Sequence, residues 1–108
     1  MKTIVLIGAG MMGTALTLPA AANGNRIRVV GTPLDREIIE HAKKTHRQKT
    51  MDRKLPDENE YYQIEALDEA LEGADFVISG VSSFGVDWLL NEALPHVPQD
   101  TPILSVTK

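Results

Sequence analysis

Three glycines near the amino terminus, Gly8, Gly10 and Gly13, are spaced as GxGxxG between the apolar run Lys2–Ile7 and a helix-like run that starts at Met11. This spacing suits a pyrophosphate. The first glycine permits a tight strand-to-helix turn, the second keeps side-chain bulk away from the phosphates, and the third lets helix and strand approach closely. A helix starting here adds unpaired N–H groups and a partial positive charge. Gly8, Gly10, Met11, Met12 and Gly13 are therefore the candidate phosphate cradle. Two other readings compete: a secretory leader ending at Ala20-Ala21-Ala22, and a glycine-rich turn with no ligand. Against the leader, three glycines interrupt its apolar body and a single lysine precedes it.

Other residues with chemical potential fall in weaker patterns. His41 and His46 are five apart, which misses the i, i+4 spacing of a helical metal pair. Ser79, Ser82 and Ser83 lack a nucleophile-elbow pattern, and Asp52, Asp57, Glu58 and Glu60 lack calcium-loop spacing. The chain has no cysteine, which excludes disulfides and thiolate metal sites and fits a cytoplasmic location. A net charge of −4 argues against general nucleic-acid binding, and no apolar stretch is long enough for stable membrane insertion. Lys43, Lys44, Arg47, Lys49, Arg53 and Lys54 concentrate positive charge in one segment. They read either as a solvated helix end and loop or as a basic rim beside an anionic ligand.

The elements that must position the glycines alternate. Strands are expected at Lys2–Ile7, Arg26–Val30, Tyr61–Glu65, Asp75–Ser79 and Pro102–Val106. Helices are expected at Met11–Ala22, Leu34–Thr45, Leu67–Leu71 and Phe84–Leu94, with Asn23-Gly24-Asn25 closing the first and Pro95 ending the last. His46–Glu60 reads as a polar connection, long for a compact domain. Strands joined by helical crossovers imply an α/β fold: a Rossmann-like, doubly wound parallel sheet in one domain over residues 1–108. A strand directly before the last residues suggests a truncated amino-terminal domain.

Several segments together, Gly8–Ala15, Gly31–Ile38, Lys54-Leu-Pro56, Ala74–Ile78, Gly80–Ser83 and Ser105–Lys108, resemble the N-terminal cofactor domain of NAD(P)-dependent glycerol-3-phosphate dehydrogenase. The resemblance spans nearly the whole chain. It implies an oxidoreductase that interconverts dihydroxyacetone phosphate and glycerol 3-phosphate with NAD or NADP, and whose helical C-terminal catalytic domain is absent here. By carry-over, Val81 and Ser82 would lie along the nicotinamide half of the cofactor. Lys108, in the position of a family "TKG" motif, would meet the phosphorylated substrate, while the principal catalytic lysine lies outside the chain. The reading allows a homodimer. Val29-Val30 stand where many relatives have an aromatic residue, and Ser82 stands where many have proline.

The usual NAD signal is an acid at the end of the second strand, where this chain has Gly31-Thr32. Asp35 is expected inside the helix start. With no acid to repel it, a 2′-phosphate would be accepted by the Thr32 hydroxyl and the Arg36 guanidinium, so NADP is expected to be tolerated or even preferred. Two alternatives remain at this level: a ketopantoate-reductase-type domain, and a stand-alone nucleotide-binding or redox-sensing module.

Overall fold

The computed structural model describes residues 2–8, 11–48, 53–55, 59–80 and 89–105, and the statements below concern these residues. Strand β1, Thr3–Ile7, is the centre of the molecule. Its residues Val5, Leu6 and Ile7 have no solvent exposure, which is why the segment is an unbroken apolar run rather than an alternating one. Helix α1, Met11–Ala22, follows, and Asn23-Gly24 turns the chain with Gly24 at φ +87°. Strand β2, Arg26–Val30, then pairs parallel to β1 from Thr3↔Arg26 to Ile7↔Val30.

A 3₁₀ turn, Pro33–Asp35, leads into helix α2, Arg36–Thr45. The expected single helix from Leu34 is thus tightened over its first residues. Strand β5, Glu60–Tyr62, joins the outer side of β2. Helix α3, Leu67–Leu71, and strand β6, Phe76–Ser79, bring the chain to the other side of β1. Strand β7, Ile103–Ser105, completes a five-stranded parallel sheet in the order β5-β2-β1-β6-β7. This is the doubly wound α/β arrangement that the sequence implied.

The sheet is covered on both faces. Ile4, Leu6, Ile27, Val29 and Ile78 form one layer with Ile39 of α2. Val5, Ile7, Val30 and Val77 form the other, beneath Leu67, Ala70 and Leu71 of α3 and Ala93 and Val97. Arg28 points to this second layer. Its guanidinium donates to the carbonyls of Ala70 (3.0 Å) and Glu72 (2.6 Å), and it lies 3.4 Å from a Glu60 carboxylate oxygen. A cation on the last carbonyls of α3 suits both their free lone pairs and the negative end of the helix.

Three expectations need correction. The connection from His46 to Glu60 is not unstructured: β3, Arg47–Gln48, and β4, Arg53–Lys54, pair antiparallel. Leu55 and Asn59 are buried behind them. His46, with φ +53°, closes α2 in a left-handed cap by donating its backbone N–H to the Ala42 carbonyl at 2.8 Å. The third strand ends at Tyr62, and Ile64–Ala66 is a 3₁₀ turn. Finally, Leu89–Ala93 is a wide π turn that passes into a 3₁₀ turn over Leu94–His96, so Pro95 lies within helical structure instead of stopping it. The expected stretch from Phe84 to Trp88 lies outside the described residues.

Gly31 sets how closely α2 can lie on the sheet. A Cβ at this position would sit 2.4 Å from Cγ1 of Ile39 and 3.2 Å from Cβ of Asp35. Both neighbours are branched or held in a turn, so a methyl group has to push the helix outward. Gly31→Ala is expected to destabilise the fold by about 1–3 kcal/mol, the usual range for an overpacked core. Urea denaturation measures it, and Ile39→Ala in the same chain should make the added methyl far less costly.

Candidate dinucleotide site

The carboxyl ends of β1, β2 and β6 finish in step. Each is followed by glycine, and each of these N–H groups extends the ladder by one bond. Gly80 donates to Ile7 at 2.8 Å, Gly8 to Val30 at 2.8 Å, and Gly31 to Tyr62 at 2.9 Å. The chain leaves β1 for β2 on one side and reaches β6 on the other, so the point beyond Ile7 is the topological switch point, where doubly wound sheets hold ligands. Gly8 is buried and has φ +100°, a conformation that an L side chain resists. Helix α1 then opens at Met11 and carries no acid in its first turn. Its first turn therefore sets no negative charge of its own against a bound anion.

The structure thus brings Gly8 and the backbone of Met11, Met12 and Gly13 to one place. Gly10, Val81, Ser82 and Lys108 lie outside the described residues. One residue at the same edge was passed over in the sequence. Ser79, the last residue of β6, is 1% exposed, and its hydroxyl has no hydrogen-bond partner. Its burial comes from pairing with Ile7 and Ser105 on the two sides, which no local pattern reveals.

Beyond the end of β2, Asp35 stands in the first helical turn, as expected. The Asp35 carboxylate folds back to accept from the Thr32 backbone N–H and the Thr32 hydroxyl, both at 3.0 Å. Arg36 is also engaged: it donates through Nη1 to Glu65 Oε1 at 3.0 Å and through Nη2 to Glu65 Oε2. Gln63 braces the pair by donating to the Arg36 carbonyl at 3.1 Å and to Glu40 at 3.0 Å. Hydrogen bonding to Arg36 holds the Glu65 carboxyl below the ordinary glutamate range, and the same bond raises the Arg36 guanidinium.

Beside this pair lies a cleft of about 490 Å³, lined by Pro33, Ile64, Glu65, Leu67, Asp68, Glu92 and His96. Its lining combines apolar Pro33, Ile64 and Leu67 with acidic Glu65, Asp68 and Glu92. The His96 Nδ1 lies 2.7 Å from an Asp68 oxygen. Of the basic segment, Lys43 and Lys44 occupy the last turn of α2, at the far end of that helix from the carboxyl end of β2.

A parallel sheet in this order, a buried left-handed glycine after its central strand and a helix start with no acid in its first turn define the class: a doubly wound dinucleotide-binding domain. The particular family follows from comparison. The model of the NAD-dependent glycerol-3-phosphate dehydrogenase N-terminus matches residues 3–108, and the chain belongs to that family. The NADP(+)-dependent glycerol-3-phosphate dehydrogenase of Archaeoglobus fulgidus is 34% identical over 97% of this chain and 31% of its own length. A glycerol-3-phosphate dehydrogenase [NAD(P)+] of Bacillus velezensis is 32% identical over the whole chain and 31% of its own. The crystal structure of the Coxiella burnetii glycerol-3-phosphate dehydrogenase superposes with a TM-score of 0.86 at 24% identity, over 99% of this chain and 32% of that one. The chain spans about a third of the length of these relatives.

The Arg36–Glu65 tie has a measurable signature. Its contribution is present above the ordinary glutamate titration range and is lost as pH falls through the depressed Glu65 midpoint. A carboxyl-resolved NMR titration should place the Glu65 midpoint below the ordinary value, and Arg36→Ala should return it upward.

Proposed function

We propose that this chain is the cofactor-binding domain of an enzyme that interconverts dihydroxyacetone phosphate and sn-glycerol 3-phosphate with NAD(H) or NADP(H). The observation that carries the reading is the switch point itself: Gly8 turning in the left-handed region, with α1 starting at Met11 against the crevice. Family membership gives that geometry its substrate class.

In this reading the N–H groups at the start of α1 hold the pyrophosphate, and Gly8 and Gly10 keep the backbone open to it. Thr32 and Arg36 face the adenosine ribose at the end of β2, and the cleft between Pro33, Ile64 and Leu67 gives an adenine base an apolar surface. Val81 and Ser82, just past β6, lie along the nicotinamide. The bound cofactor supplies or accepts a hydride. Lys108 contributes positive charge to the anionic substrate, and the residue that moves the proton belongs to a helical C-terminal domain. Ile103 and Leu104 of β7 are 43% and 47% exposed, an apolar surface suited to cover by such a domain. The reaction takes place in the cytoplasm, and the enzyme is a homodimer.

The test uses the full-length protein. It should bind NADH and reduce dihydroxyacetone phosphate, whereas ketopantoate should not be turned over. Gly8→Ala is expected to weaken NADH binding at least about tenfold, because φ +100° strains an alanine where the backbone must meet the phosphates. Lys108→Ala should instead lower kcat/KM for the phosphorylated substrate while NADH affinity stays within about twofold. Absence of NADH binding by the wild-type protein overturns the proposal.

A further inference from the structure

We infer that Glu65 sets the balance between NADP and NAD by competing with the 2′-phosphate for the Arg36 guanidinium. The inference rests on the dinucleotide reading above. It concerns a residue on the β5–α3 turn, away from the strand-end position where cofactor preference is ordinarily read.

Arg36 opens α2 at the carboxyl end of β2, and its side chain is half exposed, within reach of a ligand lying over that strand. A guanidinium presents one planar fork that matches either a carboxylate or a phosphate. Here both prongs are committed, Nη1 to Oε1 and Nη2 to Oε2 of the same carboxylate. A 2′-phosphate approaching this fork must displace Glu65 and then remain beside its negative charge.

Among the described residues around this fork, the groups in place offer the phosphate no second cation. The Thr32 hydroxyl donates to the Asp35 carboxylate. The adjoining cleft adds Glu65, Asp68 and Glu92 to its lining, and the His96 ring lies against Asp68. An uncharged 2′-hydroxyl meets none of this repulsion and can donate to a carboxylate. Glu65 therefore penalises one cofactor and not the other. Because the tie is solvent-exposed on both sides, it is weak enough to exchange. It tunes the ratio and does not forbid NADP.

Equilibrium binding of NADH and NADPH to the full-length protein, followed by nicotinamide fluorescence, tests this in four forms: wild type, Glu65→Gln, Arg36→Ala and the double variant. Glu65→Gln is expected to raise the NADPH-over-NADH affinity ratio about fivefold or more, as one negative charge is removed beside a dianion and the fork is released. In the Arg36→Ala background the same change should alter the ratio by less than about twofold. An unchanged ratio in Glu65→Gln overturns the inference, as does a gain of equal size without Arg36, which reports simple charge removal. Failure of the wild type to bind either cofactor overturns the proposed function instead, so the two failures are distinct. Both side chains are exposed, so loss of folding is not expected to obscure the result.

Discussion

Everything in the site depends on Ile7 being locked between Val30 and Ser79. With both neighbours in register, the chain can continue the ladder for one residue, through Gly8, and must then turn sharply because helix α1 starts at Met11. That turn requires positive φ at Gly8. The same register places the Gly31 and Gly80 N–H groups at the same level, at the carboxyl edge where doubly wound sheets hold ligands. A slip of one residue in β1 would exchange Leu6 and Ile7 between the two faces of the sheet and remove the crevice together with the core.

The acid at the end of β2 shows how packing relocates chemistry. The position directly after the strand is closed to any side chain, because Ile39 of α2 occupies the space a Cβ needs. An Asp or Glu at residue 31 would force the helix off the sheet. The carboxylate is delivered instead from Asp35 through a 3₁₀ turn that folds it back onto Thr32. The close approach of α2 and the location of the acid are thus one constraint. It also accounts for Thr32, whose backbone and hydroxyl both satisfy that carboxylate.

Charge is distributed around the sheet in a way that fits these roles. Cations near helix ends serve the fold: Arg28 holds the last carbonyls of α3, and Lys43 and Lys44 sit in the last turn of α2. The first turn of α1 carries no acid. Around the cleft polar groups pair locally, Arg36 with Glu65 and the His96 ring with Asp68.

The sequence by itself determined β1, α1 and β2, the parallel α/β class and the glycine turn. Each is encoded over neighbouring residues: unbroken apolar character for a strand buried on both faces, glycine where φ must be positive, and a helix run between them. The short β3–β4 pair escaped because two-residue strands carry no periodicity. Only the tertiary structure decided that Glu65 closes on Arg36 from 29 positions away and that the Ser79 hydroxyl is buried at the switch point. Those facts depend on which strands become neighbours and how closely a helix lies on them. Such relations join distant residues, and no local spacing records them.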